Sequence, residues 1–292
     1  MFFSALIAGF FAGFFAGFPP FWGLLIIIAY GFRHYQKQNI AYFVTFAVSS
    51  LLSVFLIAAG NTSLALMDTV CGIGLTALIY FYYLKSTHNY HIALMYSSGN
   101  GVLYGFVRQL LYGQFINDQI SKSSYQSLEM MKDMFKDNPE FLALAEQSTQ
   151  TSVTFFHNYG TAIWFMVIFF ALYLGSLWLS ARAKTNWNHA VFALPYWSAY
   201  LLITAMLFFL IPATRTTGVN LLLIILPCFM IQGIAVSFYF WKFTTTSNRF
   251  VLFLIISIIL LNYIFILLLI LLGIADLWLQ FRQKHQQKLK SM

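Results

Sequence analysis

A helix needs about 20 consecutive apolar residues to cross the hydrocarbon core of a bilayer, and runs of that kind recur along most of this chain. Seven are bounded by charge, proline or Asn/Ser/Thr clusters, over 2–32, 40–59, 63–84, 152–180, 190–211, 217–241 and 250–275. Only 8% of the 292 residues are charged and 60% are apolar, against roughly 25% charged in an ordinary soluble domain. A soluble globular protein is thereby excluded. The expected fold is all-α, a polytopic integral membrane helical bundle of seven or eight transmembrane helices in a single membrane domain, 1–292. The eighth candidate, 92–112, is interrupted by Ser97, Ser98, Gly99, Asn100, Gly101, Arg108 and Gln109. It is either a span that lines something polar or a segment lying at the interface.

Charge gathers between these runs. The formal net charge is +8, but no continuous basic stripe of the kind that grips nucleic acid is formed, so basicity reads as membrane topology and no nucleic-acid partner is expected. The segment 113–151 is the one polar stretch, with Lys122, Lys132 and Lys136 against Asp118, Glu129, Asp133, Asp137, Glu140 and Glu146. Apolar positions at Leu128, Met131, Met134 and Phe135, a break at Asn138-Pro139, and Phe141, Leu142 and Leu144 beyond it predict two short amphipathic helices in an extramembrane insertion. A basic tail, 281–292, carries Arg282, Lys284, Lys288 and Lys290. Cytoplasmic loops are enriched in Lys and Arg. Eight spans with the N-terminus outside split these residues seven inside to eight outside, whereas seven spans split them twelve to four, so the count favours seven or an equivalent change of parity. The first 32 residues lack a charged n-region and a cleavage pattern, so no removable signal peptide is expected.

The first run reads AGFFAGFFAGF, placing Ala8, Ala12 and Ala16 on one helical edge with Gly9, Gly13 and Gly17 beside it. Small residues four apart let helices approach closely in lipid, which serves a packing seam or the docking of another subunit. Pro19-Pro20 must then kink or break the helix. Polar side chains within apolar runs are costly and mark binding or interhelical contacts. Asn100, Arg108, Gln232 and Asn262 are therefore the candidate ligand-binding residues, although Gln232 and Asn262 equally suit amide bonding between helices. Asp68 is placed near headgroup depth, and Asp276 in an interfacial cap or ion pair with Arg282. His88 and His91 have no neighbouring acid, and Cys71 and Cys228 lie inside apolar runs, so no metal site and no disulfide is expected. Phosphate-binding glycine loops, HExxH and GxSxG are absent, and no catalytic residue or cofactor is expected.

In the last third, Phe192-Ala-Leu-Pro195-Tyr-Trp197, Gln232-Gly233-Ile234-Ala235 and the closing Gly273-Ile-Ala-Asp276-Leu-Trp278-Leu-Gln-Phe281-Arg282 resemble the YybS-like family of bacterial membrane proteins. Gly273, Asp276 and Arg282 belong to the most specific part of that pattern. The resemblance implies a multi-pass protein of the bacterial inner membrane with a core like that of the S components of energy-coupling-factor vitamin transporters. It further implies a small-molecule ligand and a membrane partner docked on the Ala8/Ala12/Ala16 edge. The alternative is a non-catalytic structural or assembly subunit that recruits membrane or soluble partners through 113–151 and the tail.

Overall fold

The computed structural model describes residues 20–35, 62–136, 138–183, 190, 192–244 and 263–290. The small-residue edge from Ala8 to Gly17, the run 40–59 and Asn262 lie outside the described residues. Two compact units divide the chain, Met1–Ala183 and Lys184–Met292. Among the described residues all regular structure is helical.

In the first unit, α1 (Pro20–Tyr35) begins on a proline, at the position where a missing N–H costs nothing. Helix α2 (Thr62–Met67) passes through a π-helical turn, Asp68–Gly74, into α3 (Leu75–Thr87). His88 closes α3 in the left-handed region at φ 51°, its N–H bonding to Leu84 O, and Asn89 caps α4 (Tyr90–Met134) by accepting from the His91 N–H at 2.9 Å. The polar Thr87–Asn89 run is thus a tight reversal, which sets α4 back along α3. After a second reversal Pro139 opens α5 (Pro139–Ala183), with Asn138 Oδ1 accepting from the Phe141 N–H. Helices α4 and α5 pack along one another, and α1 lies against α5. Their shared core includes Leu24, Ile28, Ile73, Leu94, Ile168 and Leu172.

Two expectations change here. The amphipathic pieces expected within 113–151 are not short separate helices but the outer ends of α4 and α5. Helix α4 has 45 residues, about 67 Å at 1.5 Å per residue, and α5 has as many but is two helical pieces joined across a kink. Helix continuity wins because neither Gly113 nor the polar residues after it break the backbone bonding; only Asn138-Pro139 does. Helix α5 is bent at Tyr159, whose φ −123° and ψ 15° are not helical, close to where the expected span began at 152.

Helix α4 has its polar face inward. Ser97, Tyr104 and Gly105 are buried, while Leu103, Phe106 and Leu110 are 65%, 61% and 73% exposed. That is the reverse of the pattern that water imposes on a helix. Three helices among the described residues are long and apolar enough to cross a membrane: Ser63–Thr87, Pro139–Leu179 and Pro212–Phe240. Trp197–Leu210 and Tyr263–Leu279 are shorter apolar helices.

The second unit contains α6 (Trp197–Leu210), a 3-10 turn at Pro212–Thr214, α7 (Arg215–Thr244), α8 (Tyr263–Leu279) and α9 (Phe281–Lys290). Helix α6 starts seven residues later than the expected run 190–211, because Pro195 disfavours helix in the residue before it; 192–195 is non-helical. Ala199, Leu202, Ile225, Phe229 and Leu277 form the core of this unit. Helices α7 and α8 meet backbone to backbone. A methyl on Gly233 would strike Leu269 O, and one on Gly273 would strike Phe229 O. These two glycines are the small residues that let the pair close, and this is the role of Gly273.

Candidate functional site

Among the described residues each unit buries one carboxylate–arginine pair. In the first, Asp68 opens the π-helical turn and faces Arg108 on α4. Arg108 Nε donates to Asp68 Oδ1 at 2.8 Å and Nη2 to Oδ2 at 3.1 Å, with Tyr104 Oη donating to Oδ1 at 2.6 Å. The two charged side chains are 12% and 18% exposed. Trp164 of α5 lies under the guanidinium, whose carbon is 4.6 Å from the ring centroid, a cation–π contact. Gly72 and Gly105 make room for that indole: a methyl on either would come within 2.7 Å and 3.0 Å of it.

One helical turn at a time, α4 presents Asn100, Tyr104 and Arg108 on the same face. Asn100 Nδ2 donates to Thr76 Oγ1 at 2.9 Å and to Cys71 O at 3.4 Å, and Thr76 Oγ1 in turn donates to Gly72 O. Of the polar interruptions of 92–112, Ser97, Asn100 and Arg108 are thus bonded within the unit, whereas Ser98 Oγ is buried without a hydrogen-bond partner among the described residues. Asp68 is 9% exposed and held by three donors.

In the second unit Arg282 folds back over Asp276. The chain turns between α8 and α9 at Gln280, which takes φ 50°, and its N–H bonds to Asp276 O at 2.9 Å. Arg282 Nη2 and Nε then donate to Asp276 Oδ2 at 2.6 and 3.2 Å, while Nη1 donates to the carbonyls of Ala190 and Phe192, both at 2.7 Å. Gln232 joins from α7. Its Nε2 donates to Asp276 Oδ2 at 3.2 Å, and its Oε1 accepts from the Leu194 N–H at 3.0 Å. The non-helical segment before Pro195 is therefore held by one glutamine and one arginine, which replace the backbone partners a helix would have supplied.

A cavity of about 290 Å³ lies beside this network, lined by Ala193, Leu194, Tyr196, Tyr239 and Gln280 together with Gln232, Asp276 and Arg282. Tyr239 Oη is hydrogen-bonded to His285 Nδ1 at 3.1 Å. Asp276 Oδ1 is buried and has no hydrogen-bond partner among the described residues. No group of three or more His, Cys, Asp or Glu residues able to hold a metal occurs among the described residues.

Of the residues singled out from sequence, Gln232, Asp276 and Arg282 meet at one place, Gly273 packs against Phe229 O, Asn100 bonds to Thr76 and Cys71, and Arg108 bonds to Asp68. Sequence reading missed Tyr104 and Trp164, and it did not pair Asp68 with Arg108. A signal existed: His88 at the reversal is 20 residues from each member of the pair, so two antiparallel helices bring them level.

A family model described as "Predicted membrane protein (DUF2232)" matches residues 2–277. No curated protein and no solved structure matches the chain.

Proposed function

The chain belongs to the DUF2232 family of predicted membrane proteins, and we propose that it is a multi-pass protein of the bacterial inner membrane that captures a small molecule, without catalysis, as the binding subunit of a transport system. The cavity beside Asp276 carries this reading. Its volume of about 290 Å³ is close to the roughly 300 Å³ at which small-molecule sites begin. Three separate stretches converge on its polar wall: the segment before Pro195, α7, and the α8–α9 reversal. These are the stretches that carry the YybS-like pattern, and through it the likeness to S components.

The inverted face of α4 supports a crossing by 92–112, which the charge count disfavours. Apolar Leu103, Phe106 and Leu110 then meet lipid while Asn100 and Arg108 bond inside. In this reading the Ala8/Ala12/Ala16 edge docks a membrane-embedded coupling subunit. Native mass spectrometry of protein extracted in mild detergent from its own host tests the proposal. A stoichiometric small molecule, together with a coupling subunit that Ala12→Leu releases, is the expected result; a preparation carrying neither refutes it.

A second reading, assembly of a membrane complex, draws on the long α4–α5 hairpin. Helix α4 alone, at about 67 Å, exceeds the roughly 30 Å hydrocarbon core, and the tip exposes Met130, Met134 and Leu144. Deleting 117–148 separates the two readings: it removes the partner in the assembly reading and leaves it bound in the transport reading.

A further inference from the structure

We propose that α9 is a site for anionic phospholipid, at which Lys284, Lys288 and Lys290 hold phosphodiester headgroups at the edge of the bilayer.

The acids of the chain are unevenly placed. Six of the eight lie in 113–151 and a seventh is Asp68, so Asp276 is the only carboxylate between 184 and 292, against eight lysines and arginines over the same stretch. Asp276 is itself spent on Arg282, at 2.6 and 3.2 Å. The second unit thus has no acid of its own left for the lysines of α9, and charge complementarity favours an anionic surface as their neighbour.

The mounting of α9 sets its depth. Helix α8 ends on Trp278 and Leu279, which are exposed, and the chain turns at Gln280. Arg282 ties the first turn of α9 to Asp276 and to the carbonyls of Ala190 and Phe192. His285 then bonds to Tyr239 Oη at 3.1 Å and packs on Phe240, with ring centroids 5.6 Å apart. Tyr239 and Phe240 close the stretch Pro212–Phe240 of α7, which is long and apolar enough to cross a membrane. Lys284 adjoins His285 in sequence, so it stands where that apolar stretch ends, at the depth of the headgroups. Trp278, at the same turn, is of the residue type that collects there. This depth favours a lipid over a soluble acidic partner.

The orientation of α9 agrees. Arg282 is buried and Phe281 and His285 are half-buried, whereas Gln283, Lys284 and Gln287 are exposed. Lys288 follows Lys284 by one turn and falls on the same edge of the helix. Attachments at Arg282 and His285 fix the helix in advance, so the lysines meet a headgroup without the cost of ordering a loose tail.

The test titrates the full chain, in uncharged detergent, with phosphatidylglycerol or with phosphatidylcholine of the same acyl chains, and counts bound lipid by native mass spectrometry. Phosphatidylglycerol is expected to bind the wild type at least about tenfold more tightly, the preference falling by about fivefold for each lysine neutralised. Lys284→Gln/Lys288→Gln/Lys290→Gln should therefore abolish it. Lys122→Gln/Lys132→Gln/Lys136→Gln removes the same charge from the α4–α5 hairpin and should leave it intact. The inference is overturned by a wild type without preference, by a preference that survives loss of the three α9 lysines, or by an equal loss in the hairpin variant. Displacement of the lipid by an equal concentration of soluble glycerol phosphate also overturns it, since the site would then read a phosphate ester and not a membrane. Should the triple α9 variant not fold, Lys284→Gln alone decides: about fivefold weaker phosphatidylglycerol binding supports the site, and wild-type binding overturns it.

Discussion

Replacing Arg108 by methionine should be among the most damaging single changes in the first unit, and pairing it with Asp68→Leu should repair most of the loss. In the native protein Asp68 accepts from Arg108 at 2.8 and 3.1 Å and from Tyr104 at 2.6 Å. Arg108→Met removes both charge-assisted bonds and leaves a carboxylate, 12% exposed, with the Tyr104 hydroxyl alone. Breaking a buried pair from one side costs about 3–5 kcal/mol, whereas replacing both partners by apolar residues of similar volume is often close to neutral. The double variant still strands the Tyr104 hydroxyl, a penalty of about 1–3 kcal/mol, so the repair is large but incomplete. The coupling energy should therefore reach roughly 2 kcal/mol or more, toward the upper end for residues in direct contact. Unfolding by sodium dodecyl sulfate in mixed micelles, followed by tryptophan fluorescence, measures it, since Trp164 lies 4.6 Å from the guanidinium carbon. Single variants that unfold with the wild type, or a double variant whose loss equals the sum of the two, would refute the reasoning: the first would mean that the pair is solvated, the second that the two charges do not depend on one another.

Gly273→Ala should lower thermal stability, because its methyl would strike the Phe229 carbonyl oxygen of α7 and overpacking costs typically about 1–3 kcal/mol; Gly99→Ala, which meets nothing within 4 Å, should be neutral or stabilising by up to about 1 kcal/mol from helix propensity. A thermal shift series in one detergent compares them. Gln232→Leu removes the acceptor of the Leu194 N–H and a donor to Asp276, so a loss of about 1–3 kcal/mol is expected, and faster proteolysis around 190–195 should accompany it. At the hairpin tip, contacts with Glu146 and Glu129 raise the Lys132 pKa. A raised lysine pKa adds stability that is complete below the unfolded value and lost only as pH climbs through the folded one, so a neutral-range pH titration of the melting temperature should look the same for wild type and Lys132→Met.

The helical, membrane-bound character of the chain was legible because it depends on composition and run length, which need no partner. Helix ends marked by backbone chemistry are legible too: Asn138-Pro139 reads as a break, and Asn138 caps α5. What was not legible is what depends on a distant segment. Ser97, Asn100 and Arg108 weakened the expected span at 92–112 because hydropathy adds residues without asking where they point. Asn100 bonds to Thr76, 24 positions away, and Arg108 to Asp68, 40 positions away, so the polarity is paired inside the bundle. The late start of α6 has a local cause in Pro195, but the reason that 192–195 can remain non-helical lies in Gln232 and Arg282. Those residues were singled out as polar positions and as a sequence pattern, not as anchors of that segment.

The two buried pairs are alike in composition and different in what they leave over. Around Asp68 both carboxylate oxygens have donors, the guanidinium rests on an indole, and glycines close the space around it. A carboxylate with donors on both oxygens fixes the register of two helices. Around Asp276 one oxygen carries the whole network and the other has none, beside a cavity of about 290 Å³. The fold could have closed this site with one more donor, as Tyr104 closes the first, but Tyr239 bonds to His285 instead. The adjoining cavity, and not the presence of an ion pair within a membrane protein, is what sets the second unit's cluster apart and supports the binding role proposed for it.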